Sequence, residues 1–240
     1  MKQQDISNNL KINLPSDDNY KSFNDFIFSN DLKLMGKLLH RFQFYEKVKD
    51  LPGDIVEIGV FKGSGIASFL KFIQIYNPNS NKKVVGFDIF DSEEAKNILN
   101  KDSESDKKTM SLVYDRVDKN ELSLESVNKR IKDTEISEEK FILIKGDVEE
   151  TLKQFIDKNP GFRAALIYID VDIERPTYIS LKYLWDRLLP GGYVLFDEYE
   201  YHKFSESKGV ELFLKERNIP YEVKSTNWFA PTAYIQKTTL

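Results

Sequence analysis

From Asp54 onward the chain alternates between two textures: short, nearly continuous apolar runs, and longer stretches in which apolar residues recur every three or four positions. The runs are Asp54-Ile-Val-Glu-Ile-Gly59, Lys83-Val-Val-Gly-Phe-Asp88, Phe141-Ile-Leu-Ile-Lys145, Ala164-Ala-Leu-Ile-Tyr-Ile-Asp170 and Tyr193-Val-Leu-Phe196. Their length and their β-branched and aromatic content predict strands. Helical spacing predicts helices at 64–76, 122–131, 151–156, 178–188 and 209–217. Upstream, Phe26, Met35, Leu38, Leu39, Phe42, Phe44, Tyr45 and Val48 predict one or two helices over 23–49, ended by Leu51-Pro-Gly53. Asn77 to Asn81 reads as a loop, and Pro190-Gly-Gly192 as a break before the strand at Tyr193. Two late strand candidates, Tyr221–Lys224 and Ala233–Lys237, are close enough to pair as an edge hairpin.

Strands alternating with helices imply a mostly parallel sheet, and apolar runs without polar alternation imply cover on both faces. The expected fold is an open, doubly wound α/β sheet of seven strands with an antiparallel hairpin at its end. The expected organisation is an N-terminal tail and helical cap over 1–50, then one large domain over 51–240. The first 20 or so residues are polar and expected to fray. Residues 91–121 are highly charged with weak periodicity, which predicts a solvated insertion or a mobile lid.

Composition narrows the function classes. A net charge of −4 with 39 acidic residues offers no basic stripe, which argues against nucleic acid as a partner. Without cysteine there is no disulfide, no thiolate metal site and no cysteine nucleophile. No run approaches the roughly 18 apolar residues of a membrane span, and the first 20 residues lack a signal-type apolar core. The expectation is a cytoplasmic protein that binds a small molecule and no membrane, with room for a homo-oligomer.

The chemistry gathers at the strand ends. In open α/β sheets ligands bind beyond the carboxyl ends of the strands, where strand order reverses. Glu57 and Gly59, Asp88, Gly146-Asp147, Asp170 with Asp172, and Asp197-Glu198 close five successive predicted strands. The loop Glu57-Ile-Gly-Val-Phe-Lys-Gly63-Ser-Gly65 has an acid two residues before its first glycine. A dinucleotide pyrophosphate favours a bare helix N-terminus, whereas a cofactor with a cationic amino group favours a carboxylate such as Glu57. Asp88 is placed to accept hydrogen bonds from ribose hydroxyls. The alternative is that Glu57 only caps the turn that the glycines permit.

Adjacent strand ends lie about 5 Å apart, so Asp170, Asp172, Asp197 and Glu198 repel one another unless a cation or proton sits among them. Two readings stay open: a hard, oxygen-seeking ion such as Mg²⁺, or acids that cap helices and pair with Arg175 and Lys203. His202 is a candidate general base, although a surface loop histidine is the commoner case. His40 reads as packing or surface. Trp228-Phe229, Tyr199 and Tyr201 wall a pocket or pack against an edge.

Several of these segments resemble the macrocin O-methyltransferase family, which modifies deoxysugars. They are Pro52-Gly-Asp-Ile-Val-Glu-Ile-Gly-Val-Phe-Lys-Gly63, Asp88-Ile-Phe90, Gly146-Asp-Val-Glu-Glu-Thr-Leu152, Ile169-Asp-Val-Asp-Ile-Glu-Arg-Pro-Thr177 and Leu189-Pro-Gly-Gly-Tyr-Val-Leu-Phe-Asp-Glu-Tyr199, in order over about 50–237. The resemblance implies a class I methyltransferase fold, S-adenosylmethionine, and a divalent ion, usually Mg²⁺. It implies that Glu57, Gly59, Phe61, Gly63, Ser64, Asp88, Asp147 and Val148 surround the cofactor. It makes Asp170, Asp197 and Glu198 the metal ligands, with Asp170 also the base. The implied reaction is O-methylation of a hydroxyl on a sugar or nucleotide sugar. A catechol-type metal-dependent O-methyltransferase shares the same acids, and a non-catalytic S-adenosylmethionine-binding protein would share the fold. Three positions depart from the family pattern: Glu198 for its second aspartate, Val171 for a glycine, and Tyr168 for an arginine. The insertion over 91–121 has no aligned counterpart and, as a lid, would carry acceptor specificity.

Overall fold

A computed structural model describes residues 16–238. Two helices come first, α1 (Asp17–Ile27) and α2 (Leu32–Val48), each opened by a side-chain cap, Ser16 and Asp31 respectively. Residues 1–15, where most of the expected frayed tail falls, lie outside the described part. The order then runs β1 (Asp54–Ile58), α3 (Ser64–Tyr76), β2 (Val84–Asp88), α4 (Ser92–Ile98), α5 (Glu104–Tyr114), α6 (Leu124–Lys132), β3 (Phe141–Lys145), α7 (Val148–Lys158), β4 (Ala164–Ile169), α8 (Glu174–Leu184), β5 (Leu188–Phe196), α9 (Glu206–Glu216), β6 (Lys224–Ser225) and β7 (Ala233–Gln236).

The seven strands form one sheet in the order β3-β2-β1-β4-β5-β7-β6. All neighbours from β3 to β5 are parallel, and β7 pairs antiparallel with both β5 and β6. Successive side chains of a strand point to opposite faces, and the two faces bury different partners. Val56 and Ile58 of β1 join Leu152, Leu181, Val210 and Phe213 on the face covered by α7, α8 and α9. Ile55 joins Phe44, Val48, Ile66, Phe69 and Val127 on the face covered by α2, α3 and α6. Every residue of β4 is buried, because this central strand is covered on both sides.

Three elements differ from the sequence expectation. The segment 91–121 is mostly helical and packed: Leu99 and Met110 form a small core with Ile173, and most of its charges face solvent, with Asp102 and Asp106 turned inward. Its helices are short, 7 and 11 residues, which left too few turns for a clear period. Pro190-Gly-Gly192 lies inside β5 rather than before it, because a register shift opposite Ala164 to Leu166 absorbs the extra residues. The first hairpin strand is only Lys224–Ser225, later and shorter than expected.

Candidate active site

Strand order reverses between β1 and β4, and the acids meet there. The ladder carries on one residue past each strand. Gly146 N–H donates to the Asp88 carbonyl, Gly59 N–H to Phe87, Asp170 N–H to Ile58 and Asp197 N–H to Ile169, all at 2.8–3.0 Å. These bonds hold five strand ends in one row. Above the row lies a cavity of about 300 Å³, at the low end of the roughly 300–1,000 Å³ of small-molecule sites.

One end of this cavity is shaped by backbone. Gly59 has a φ of +88°, and a Cβ there would lie 1.9 Å from the Asp170 carbonyl oxygen, so the chain passes where only glycine fits. Gly65, in the first turn of α3, would place a Cβ 1.7 Å from Glu57 Oε1. Asp88 holds the loop over the sheet: its Oδ2 accepts the N–H groups of Val60 and Phe61, and its Oδ1 that of Phe90. Burial pushes the Asp88 carboxyl up, against those three donors. Gly59, Phe61, Asp88, Ile89, Asp147 and Val148 line this end. Asp147 caps α7 through Glu149 N–H and pairs with Lys101 and Arg175. Its burial is outweighed by these partners, which hold the carboxyl below its usual range.

Three expected cofactor residues sit elsewhere. Glu57 is 1% exposed and lies beneath the loop, where its Oε1 accepts from Arg41 at 3.2 Å while its Oε2 has no partner. Burial raises its pKa to about 7, with Arg41 pulling the other way. It braces the loop from below and does not line the cavity. Gly63 and Ser64 lie beside Arg130 and Ile131 at a separate shallow depression.

The other end of the cavity is made of charged side chains. Lys37 Nζ lies 2.8 Å from Asp170 Oδ2 and 2.8 Å from Asp197 Oδ2. Asp197 Oδ1 accepts the Tyr168 hydroxyl, and Glu198 Oε1 pairs with Lys33 at 3.1 Å. Arg41 stacks over the Tyr168 ring at 4.8 Å and reaches within 3.9 Å of Asp170. Despite burial, Lys37 holds the Asp170 carboxyl below its usual range. Burial and the neighbouring Asp170 charge push Asp197 up to about 6. Asp172, at a φ of +65°, also lines the cavity, and burial among Asp170, Asp197 and Glu198 drives its carboxyl well above the usual range.

Lys33, Lys37 and Arg41 were missed as site residues. Their i, i+4, i+8 spacing places them on one face of α2, a signal visible in the sequence but without a target until the sheet supplies the acids. With Lys37 in place, the three acids expected to bind a divalent ion do not present an open donor set, and no group of three acids or histidines among the described residues forms a cation cage. The S-adenosylmethionine expectation fits better, since the backbone-shaped end combines apolar walls from Ile89 and Val148 with acceptor carboxylates.

His202 is exposed in the turn after β5 and does not line the cavity. Trp228 lies across Gly36 of α2, where a Cβ would meet its ring at 1.9 Å, and stacks on His40. Phe229 and Tyr201 are exposed, while Tyr199 packs against the core. None of these aromatics walls the cavity. The insertion does: Ala95, Ile98, Leu99, Met110, Val113 and Tyr114 form its apolar side. No described helix is long and apolar enough to cross a membrane.

Solved structures share this architecture. CalS11, a calicheamicin methyltransferase, superposes with a TM-score of 0.69 at 22% identity, covering 97% of this chain and 90% of that one. The O-methyltransferase NovP gives 0.68 at 22% identity, covering 84% and 79%. At such identities the likeness establishes the fold. Among curated proteins no sequence matches. A scan of protein families matches residues 37–237 to Macrocin-O-methyltransferase (TylF), a span that includes every acid of the strand-end row. The chain therefore belongs to the macrocin O-methyltransferase family and is an S-adenosylmethionine-dependent methyltransferase.

Proposed function

We propose that this chain methylates a hydroxyl of a deoxysugar carried on a nucleotide or another small molecule. The observation that carries this reading is the shared cavity: the backbone-shaped cradle at Gly59 and the carboxylate of Asp170 open into the same 300 Å³ space. S-adenosylmethionine supplies an electrophilic methyl group on a sulfonium centre. Gly59, Phe61, Asp88, Ile89, Asp147 and Val148 would hold it, with Asp88 and Asp147 accepting from hydroxyl or amino groups and Ile89 and Val148 packing against the purine. Asp170, held ionised beside Lys37, accepts the proton of the acceptor hydroxyl as its oxygen bonds to the methyl carbon and the carbon–sulfur bond breaks. Holding both reactants in one cavity supplies much of the rate. A nucleotide sugar is the favoured acceptor form because one structural relative is described as a TDP-rhamnose 3'-O-methyltransferase. Lys37 engages one oxygen each of Asp170 and Asp197, and Lys33 one of Glu198, at the acids that the divalent ion implied by the family resemblance would use.

The test is calorimetry with S-adenosylmethionine, followed by a screen of dTDP-deoxysugars and catechols with deuterated methyl donor, read by mass spectrometry. The expected result is cofactor binding and transfer to a deoxysugar hydroxyl. Absence of cofactor binding sinks the reading; transfer to catechols alone replaces the acceptor class, and binding without any transfer points to a non-catalytic role.

A further inference from the structure

The cation expected among the strand-end acids is already part of the chain. The geometry points to Lys37 as the resident cation of the acceptor site, standing where a divalent ion would have to stand, so that methyl transfer runs without a metal. This rests on the methyl-transfer reading above.

Lys37 Nζ is 2.8 Å from one oxygen of Asp170 and 2.8 Å from one oxygen of Asp197. A Mg²⁺ ion would need oxygens of both residues at about 2.0–2.1 Å, which puts it at nearly the same point as the ammonium. Two like charges cannot share that point. Of the four remaining oxygens of Asp170, Asp197 and Glu198, two are also engaged. Asp197 Oδ1 accepts from Tyr168, and Glu198 Oε1 from Lys33, while the Glu198 main-chain N–H is tied to the buried Glu206 at 3.0 Å. The third expected ligand therefore has one oxygen engaged by a second lysine and is fixed at its backbone.

Lys37 is not a loose surface side chain. It is 18% exposed, and it projects from a helix anchored in the core by Phe44, Tyr45 and Val48. One turn on, Arg41 pairs with Glu57 beneath the loop, and the preceding residue, Gly36, receives the Trp228 ring. Moving Lys37 away means either shifting this helix or leaving two acids without their cation.

The chemistry differs from that of a divalent ion. An ammonium has three donors, two of which are accounted for by Asp170 and Asp197. The third remains for an acceptor oxygen in the cavity that Lys37 lines. A hydroxyl can then donate to Asp170 while accepting from Lys37, which needs one acceptor oxygen rather than a chelating pair.

The experiment combines ion binding with turnover, using the full chain. Wild type stripped with EDTA is expected to keep at least half its activity and to show no Mn²⁺ binding below about 1 mM by electron paramagnetic resonance. Lys37→Met removes the ammonium but keeps the length of the side chain. It is expected to bind Mn²⁺ at least tenfold tighter than wild type and to lose about 100-fold in rate without metal, with at least tenfold recovery on adding Mg²⁺ or Mn²⁺. Lys37→Arg keeps a cation and is expected to bind no Mn²⁺. Wild type that binds Mn²⁺ at micromolar concentration, or that is silent until Mg²⁺ is added, overturns the proposal even if Lys37→Met fails to fold. So does a folded Lys37→Met that gains no Mn²⁺ affinity. Calorimetry with S-adenosylmethionine and the acceptor screen on the same samples separate this failure from that of the methyl-transfer reading, which falls if wild type binds no cofactor or binds it without transferring a methyl group with or without metal.

Discussion

At the Gly59 end of the cavity the shape is set by main chain: a left-handed turn against the carbonyl of Asp170, pinned by three N–H groups donating to Asp88. At the Asp197 end it is set by long charged side chains, with cations from α2 reaching over acids from β4 and β5. The first kind of construction is rigid and local, because its contacts fall within a few residues or across one ladder bond. The second is assembled from residues up to 165 positions apart and holds only while a separate helix stays docked. A methyl donor common to many reactions suits the rigid end. Selectivity among acceptors suits the end whose side chains can be exchanged without disturbing the sheet.

The largest effect is expected at Gly59. In Gly59→Ala the methyl group would overlap the Asp170 carbonyl oxygen, at a φ that costs a side chain about 1–2 kcal/mol. Overpacking adds about 1–3 kcal/mol. The expected outcome is a loss of about 3 kcal/mol in urea unfolding, with S-adenosylmethionine binding abolished. A variant that folds and binds normally would show that this end is not rigid.

Asp170→Asn tests whether the two ends act separately. The rate is expected to fall about 1,000-fold, as for loss of a general base, while cofactor affinity stays within about threefold. A cofactor affinity that falls as far as the rate would merge the two ends into one.

Glu57 links them from below, and its effect is read in pH. Its folded-state pKa, about 7, is above its ordinary value of 4.5, so the folded chain holds the proton more tightly over that window. This contribution is fully present below pH 4.5 and is lost as pH rises through about 7. Glu57→Gln is expected to remove that decline, a relative gain of about 2 kcal/mol between pH 5 and 8. The readout is the slope, since the variant also leaves Arg41 short of a partner. Parallel slopes in the two proteins would mean that Arg41 keeps Glu57 ionised throughout.

The smallest effect is expected at the insertion over 91–121. Arg175 on α8 ties the insertion to the sheet through Asp102 at 2.9 Å, Asp147 at 3.3 Å and Glu149 at 3.2 Å. Arg175→Ala is expected to weaken cofactor binding about fivefold, roughly 1 kcal/mol, and to speed hydrogen exchange over 92–114. Unchanged exchange would assign the insertion's attachment to Leu99, Met110 and Ile173 alone.

The strands and their order along the chain could be read from the sequence because each apolar run depends on neighbours in sequence. Phe141–Lys145 and the helix Ser64–Tyr76 appear with the bounds their spacing predicts. The row of acids was legible for the same reason, since Asp88, Asp170 and Asp197 each close or follow a strand at a recognisable turn. Pro190-Gly-Gly192 misled because whether such a triplet ends a strand or bulges within it depends on the opposite strand. Glu57 misled similarly: an acid before a glycine loop reads as a ligand contact, and only the packing of α3 and the arrival of Arg41 put it under the loop.

Local pattern therefore determined the five parallel strands and the residues that stand at their ends, while the sixth strand and the place where strand order reverses came from pairing. What met those acids was decided only in three dimensions. Lys33, Lys37 and Arg41 form a stripe on a helix like many others, and their sequence says that they share a face but not what the face touches. Docking α2 against β4 brings Lys37 to Asp170, 133 residues away, and turns an expected metal site into one that carries its own cation. Spacing along a chain records which side chains share a face; which opposite charge lies across from them is set by packing energy summed over the whole core.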